Sequence, residues 1–231
     1  MTLGAQPPVR ALLLDFDGTM VETESGSYAA WRETLAGHGY DLTVPAWIGA
    51  VGTLNGVDPV ALLQAHTGVA IDGDDLRARA RARHHELVAT EQLRDGVQLL
   101  VDDARDAGLH TAIVTAASSW WVRTHLTRLG IDEHWEHVIA ADGDITRAKP
   151  SPVLYHEAAS LLQIDPAQAV VVEDSLNGIR AAKAAGMTCV AFPNPITATL
   201  DLSEADLVVD DLGGLGLGEL LRRIGRATEP G

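Results

Sequence analysis

The chain has 231 residues, a length at which roughly 70% of the unfolded chain's surface can be buried, so one domain, or one domain carrying an insertion, is expected. Its 17 lysines and arginines stand against 32 acids, a net charge of -15; that field repels nucleic acid and anionic membranes, and a phosphate-bearing substrate would need a local cation. The single cysteine, Cys189, excludes an internal disulfide, fits a reducing compartment and, in its apolar surroundings, suits an inert core thiol.

The first predicted strand, Val9 to Leu14, ends in two carboxylates two positions apart, Asp15 and Asp17, followed by Gly18 and Thr19. Buried strands seldom finish in a pair of acids, so this end is expected to hold something charged. Its uninterrupted apolar part, Ala11 to Leu14, falls far short of a signal-peptide core or a membrane span, and predicts a cytoplasmic protein with no membrane partner. More than 90 residues separate this strand from the next, Leu109 to Thr115, whereas a simple βαβ crossover needs about 30. An inserted domain accounts for the excess. Its limits are placed at residues 21–93, with the core made of 1–20 and 94–231. Helical patterns run through it over Tyr28 to Ala36, Val60 to His66 and Asp74 to Thr90, separated by turns around Gly37, Pro45, Gly52 and Gly68. Arg77, Arg79, Arg81 and Arg83 alternate, which on a helix spreads them over opposite faces as a solvated surface.

Beyond the insertion, helices over Asp95 to Ala107, Trp120 to Leu129 and Gly178 to Ala185 are each followed by a glycine suited to a C-terminal cap. Ala169 to Val172 and Thr188 to Ala191 read as strands, Val138 to Ala140 and Leu207 to Val209 as weaker ones. Strands alternating with helices predict an α/β fold whose parallel sheet is covered on both faces. Gly213 to Gly218 reads as a loop, and the first eight residues and Arg226 to Gly231 as frayed tails. The nine histidines lack partner sets at zinc spacing. Trp47 is either a core-edge residue or a lining of the cap side of the site.

In an open parallel sheet, ligands bind beyond the carboxyl ends of the strands. There stand Asp15 and Asp17, then Thr115, Ala116, Ala117 and Ser118, and finally Glu173, Asp174 and Ser175, with Lys149 on a polar stretch ahead of the last group. Carboxylates grouped this way lose their charge unless a hard cation joins them, and magnesium takes one or two carboxylates, waters and a substrate phosphate oxygen. That composition suits phosphoryl transfer. One carboxylate can attack phosphorus while a second protonates the leaving oxygen and later activates water, roles that Asp15 and Asp17 could divide. Lys149, the Thr115 hydroxyl and backbone amides are suited to the equatorial oxygens.

Taken in order, Asp15-Phe16-Asp17-Gly18-Thr19, Thr115, Lys149-Pro150-Ser151-Pro152, and the run from Glu173-Asp174-Ser175 through Gly178 to Gly186-Met187 resemble the haloacid dehalogenase superfamily. The match is to its branch of small phosphatases and β-phosphoglucomutase, and covers nearly the whole chain. The resemblance implies a Rossmann-like core with an α-helical cap inserted after the first strand. It implies Asp15 as a nucleophile that becomes an aspartyl-phosphate, and Asp17 as general acid/base whose backbone carbonyl also ligates magnesium. It implies Asp174 as a metal ligand with Glu173 a direct or water-mediated partner, and Thr115 and Lys149 as phosphoryl-binding groups. Gly18, Thr23, Ala116 and Ser118 are expected to contact substrate; cap residues such as Glu22, Ser27 and those around Trp47 to Asn55 would set specificity.

The departures matter as well. Mutases of this branch carry a histidine twelve positions after the nucleophile, where this chain has Ser27, and a cap arginine; from Glu33 to Leu76 there is no lysine or arginine. Both points favour water as acceptor. In haloalkanoic dehalogenases the second acid is absent because halide departs without a proton, so Asp17 argues against that chemistry. The residues after Thr115 also lack the basic side chain seen there in relatives. The reading is a magnesium-dependent phosphatase of a small phosphorylated metabolite, a sugar phosphate by preference. A sugar phosphomutase is the alternative, and a non-catalytic metabolite-binding protein on the same fold is the third reading.

Overall fold

The computed structural model describes residues 7–228. Six strands, β1 (Ala11–Leu14), β2 (His110–Thr115), β3 (His137–Ala140), β4 (Ala169–Glu173), β5 (Thr188–Ala191) and β6 (Leu207–Val208), form one sheet in the order β3-β2-β1-β4-β5-β6. Every neighbouring pair is parallel. All four residues of β1 are buried: Leu12 and Leu14 point into one apolar cluster and Leu13 into another. Two buried faces explain why the central strands read as continuous apolar runs rather than as an alternation.

Four helices follow β1 within the inserted stretch: α1 (Glu24–Ala36), α2 (Val44–Trp47), α3 (Pro59–Thr67) and α4 (Gly73–Val88). Then follow α5 (Val97–Asp106), α6 (Ser119–Leu129), α7 (Val153–Leu161), α8 (Leu176–Ala184) and α9 (Leu217–Arg223). Helices α5, α6 and α9 cover one face of the sheet, through Leu100, Leu126 and Leu220 among others, and α7 and α8 cover the other through Leu154, Tyr155 and Ile179. Side-chain caps start several helices: Ser118 accepts from Trp121 N ahead of α6, and Ser175 from Gly178 N ahead of α8, each satisfying an amide the helix leaves unpaired.

The first four helices close around their own apolar cluster, Leu35, Leu42, Trp47, Val51, Val60, Leu63 and Leu76, which Ile196 joins from the loop after β5. Val21 and Leu93 pair antiparallel, so the chain leaves the sheet and returns at one point. Among the described residues no helix is long and apolar enough to cross a membrane.

Three sequence expectations are corrected. Helix α7 was unforeseen, and α9 begins at Leu217, inside the segment read as a glycine-rich loop. The tail from Arg226 is not frayed as far as Thr228. Arg226 is 8% exposed and donates to the carbonyls of Pro7 at 2.9 Å and Ala167 at 2.6 Å and to the Thr188 hydroxyl, while Val9 and Thr228 form a parallel bridge. Three acceptors from separate segments tie the end down. The remaining tail residues, 1–6 and 229–231, lie outside the described ones.

Candidate active site

The carboxyl ends of β1, β2 and β4 converge, and the side chains just past them meet. Asp15, 6% exposed, and the fully buried Glu173 both accept from the Lys149 ammonium, whose third proton goes to the Val114 carbonyl at 2.8 Å. Burial alone would lower the Lys149 ammonium, but the Asp15 and Glu173 charges hold it above its ordinary value. Glu173 is further tied by the Tyr155 hydroxyl, which donates at 2.7 Å, and by the Ser175 hydroxyl at 3.3 Å. The structure thus makes Glu173 a counter-ion of Lys149 and places it beside the metal-ligand candidates.

Asp174 accepts from the Thr19 hydroxyl at 3.2 Å and from Asn194 Nδ2. Gly18, at φ +78°, passes directly beneath: a Cβ there would lie 2.4 Å from Asp174 Oδ2 and 2.5 Å from Asn194 Nδ2. That close approach requires a glycine here; Gly18 is not among the residues lining the cavity described next. Arg94 locks the turn from the other side, donating to the carbonyls of Gly18, Phe192 and Pro193 with its guanidinium 3.5 Å above the Phe192 ring.

Ligand oxygens of Asp15, Glu173 and Asp174 lie within 4.8 Å of one another. Burial, ahead of the opposing pull of Lys149, pushes the Asp15 carboxyl up to about 8, and burial together with the Asp15 and Glu173 charges pushes Asp174 well above its ordinary range. Three buried acids and one ammonium leave a deficit of positive charge. An all-oxygen donor set with that deficit fits a hard divalent cation.

A cavity of 560 Å³ opens above this floor, lined by Asp15, Asp17, Thr115, Ala116, Ala117 and Ser118 from the core and by Thr23, Glu24, Ser27, Trp47 and Arg81 from the inserted helices. Asp17 is half-buried and stands apart from the acid cluster: its Oδ1 accepts from the Thr23 hydroxyl at 2.6 Å and from Trp121 Nε1 at 2.9 Å. Thr23, expected at the substrate, spends its proton on Asp17 and is 1% exposed. Ser118, also expected there, lines the cavity while its hydroxyl caps α6. The Thr115 hydroxyl accepts from Ala117 N at 3.0 Å, which leaves its proton free, and Ala116 stands beside it in the wall.

Several participants escape sequence reasoning. Arg77, Arg79 and Arg83 pair with Asp58, Asp75 and Glu33, but Arg81 has no acid partner among the described residues and faces the cavity. The expectation that all four form a solvated face is corrected there, and the inserted helices do hold a cation near the site. Glu24, in the first turn of α1, lines the cavity with its carboxyl pushed well above the ordinary range, by burial first and then by Asp17 and Asp15. Of the tryptophans, Trp47, Trp120 and Trp121 all line the cavity, and Trp121 also reaches Asp17.

A sequence profile of the haloacid dehalogenase-like hydrolases matches residues 9–186. The chain is 34% identical over 213 residues to YhcW of Bacillus subtilis (strain 168), covering 92% of this chain and 96% of that one. It is 33% identical over 183 residues to fructose-1-phosphate phosphatase YqaB of Escherichia coli (strain K12), covering 78% and 94%. The crystal structure of CbbY from Rhodobacter sphaeroides with phosphate superposes with a TM-score of 0.75 at 30% identity, over 92% of this chain and 99% of that one; a mutant of CbbY, with a TM-score of 0.75 at 31% identity, was crystallised with xylulose-(1,5)-bisphosphate. Acids and threonine at the strand ends with the lysine that bridges two of the acids, the 3-2-1-4-5-6 sheet and these likenesses agree: the chain belongs to the haloacid dehalogenase-like hydrolases.

Proposed function

We propose that the protein is a magnesium-dependent phosphatase of a small phosphorylated metabolite of sugar type, acting through an aspartyl-phosphate on Asp15. The observation that carries the reading is the division between the two acids. Asp15 is fixed at the cavity floor by Lys149 beside Asp174, whereas Asp17 sits half-buried in the wall, held by uncharged donors. That difference supports assigning attack to Asp15 and proton transfer to Asp17.

In the first step an Asp15 oxygen bonds to phosphorus, the ester P–O bond breaks, and the departing oxygen takes a proton from Asp17. In the second, Asp17 takes a proton from water, whose oxygen attacks the phosphorus, so that free phosphate leaves and Asp15 is restored. The Thr115 hydroxyl is assigned to the transferring phosphoryl oxygens, where developing charge needs donors, and Lys149, in contact with Asp15, to the phosphoryl charge beside that carboxylate through its field. Asp15, Asp174 and the Asp17 carbonyl would hold magnesium, with Glu173 direct or through water, and the ion would neutralise those same oxygens. The insertion, 21–93, is assigned as a cap whose helices cover the cavity and exclude water from the first step.

Arg81 points to a second anionic or strongly polar group on the substrate. The argument against a phosphomutase from missing cap cations therefore no longer holds; the argument from Ser27 does, since Ser27 lines the cavity where the mutases' histidine would stand. The phosphatase names among the relatives support the same choice. Asp15→Asn tests the nucleophile: phosphate release from fructose 1-phosphate and from p-nitrophenyl phosphate is expected to fall at least about 10³-fold. Survival of either activity would reject the assignment. Incubation of the wild type with glucose 1-phosphate anomers is expected to give free phosphate, and isomerisation without it would install the mutase reading.

A further inference from the structure

Trp121 makes the second hydrogen bond to Asp17, and no shared motif calls for it. Its Nε1 donates at 2.9 Å to Oδ1, the oxygen that also accepts from the Thr23 hydroxyl at 2.6 Å. With Oδ1 engaged twice, Oδ2 is left to carry a transferable proton. Both donors lean on α4. The Trp121 ring packs against His84 and His85, with centroids 5.2 and 5.1 Å away and the second stacked, and His84 Nε2 lies 3.2 Å from the Thr23 carbonyl. From the core, His125 meets the same indole edge-on at 4.2 Å. Three imidazoles, two from the insertion and one from the core, set the direction of this N–H.

We propose that Trp121 is a positioning residue for proton transfer: its N–H holds Asp17 with Oδ2 toward the leaving oxygen, and α4 sets the indole. The inference rests on the reading of Asp17 as acid/base. In the step concerned, Asp15 forms its bond to phosphorus, the ester P–O bond breaks with its electron pair on the leaving oxygen, and that oxygen takes the Asp17 proton. An alkoxide needs that proton to depart, whereas p-nitrophenolate departs without it. A displaced Asp17 therefore slows alkyl phosphates far more than aryl ones.

Trp121→Phe keeps a ring among the imidazoles and removes the N–H. Release of the alcohol or nitrophenol in a single turnover, with magnesium present, reads the first step for a primary alkyl phosphate and for p-nitrophenyl phosphate. The alkyl-to-aryl rate ratio is expected to fall about tenfold. Both rates come from one preparation, so the ratio is blind to any unfolded fraction; a ratio equal to the wild type's overturns the proposal. Asp17→Asn, run alongside, separates the two readings. A lowered ratio there beside an unchanged one in Trp121→Phe rejects Trp121 alone, whereas an unchanged ratio in Asp17→Asn rejects the acid/base assignment beneath it. Replacing His84 and His85 together by alanine is expected to lower the ratio as well, and a wild-type ratio would reject the part given to α4.

Discussion

Asp174 has a donor on each oxygen, Thr19 and Asn194, and is nevertheless uncomfortable as an anion: burial and two neighbouring acids hold it well above its ordinary 3.8. An acid raised on folding binds more protons folded than unfolded, so it makes stability fall as pH climbs from its unfolded value toward its folded one. Asp174→Asn removes that ionisation. In chelator at pH 8 the variant is expected to melt above the wild type by about 1 kcal/mol, which is 2–4 °C at this size, with the gap narrowing by pH 5. Added magnesium should raise the melting temperature of the wild type and not of the variant. Melts at two pH values with and without the ion decide it; a variant that melts lower than the wild type at pH 8 without metal would refute the account.

Helix α4 combines three tasks on one element. Leu76 seats it in the cluster of the insertion and Ala80 is buried beside it, His84 and His85 reach Trp121, and Arg81 faces the cavity between these positions. Arg81→Ala is expected to raise KM for fructose 1-phosphate about tenfold or more with kcat within threefold, because a polar contact outside the reacting centre contributes to ground state and transition state alike. A fall in kcat with KM unchanged would place Arg81 at the reacting phosphoryl group instead. Nothing in the alternating pattern 77, 79, 81, 83 marks Arg81 out. Only the folded neighbours do, by supplying acids to the other three and none to it. Helix α7 escapes for a local reason: two prolines, Pro150 and Pro152, precede a stretch of small apolar residues, Ala158 and Ala159 among them, so neither its periodicity nor its start stands out.

At the scale of the molecule, what can be read directly from the chain is what sits at strand ends. Asp15, Thr115 and Asp174 each follow a buried apolar run, so sheet topology alone brings them together. Trp121 and Asp17, in contrast, are 104 positions apart, and Tyr155 and Arg94 likewise act through contacts that no local pattern encodes. Arg226 belongs to the same class. Its guanidinium answers two carbonyls and a hydroxyl from three separate segments, and Arg226→Met removes all three of these charge-assisted hydrogen bonds, a loss expected to cost about 2 kcal/mol in urea unfolding. A midpoint equal to the wild type's would mean that water replaces the guanidinium without penalty.

The bridge between Val9 and Thr228 carries a consequence for how the chain can be rewired. The two ends of the described polypeptide meet beside the sheet, so a short peptide could join them into a ring, and new ends could be cut at an exposed turn such as the one at Gly68. A circular permutant opened there would begin and end inside the inserted helices and place β1 last in the chain, while the side-by-side order of the six strands in the sheet stays as it is.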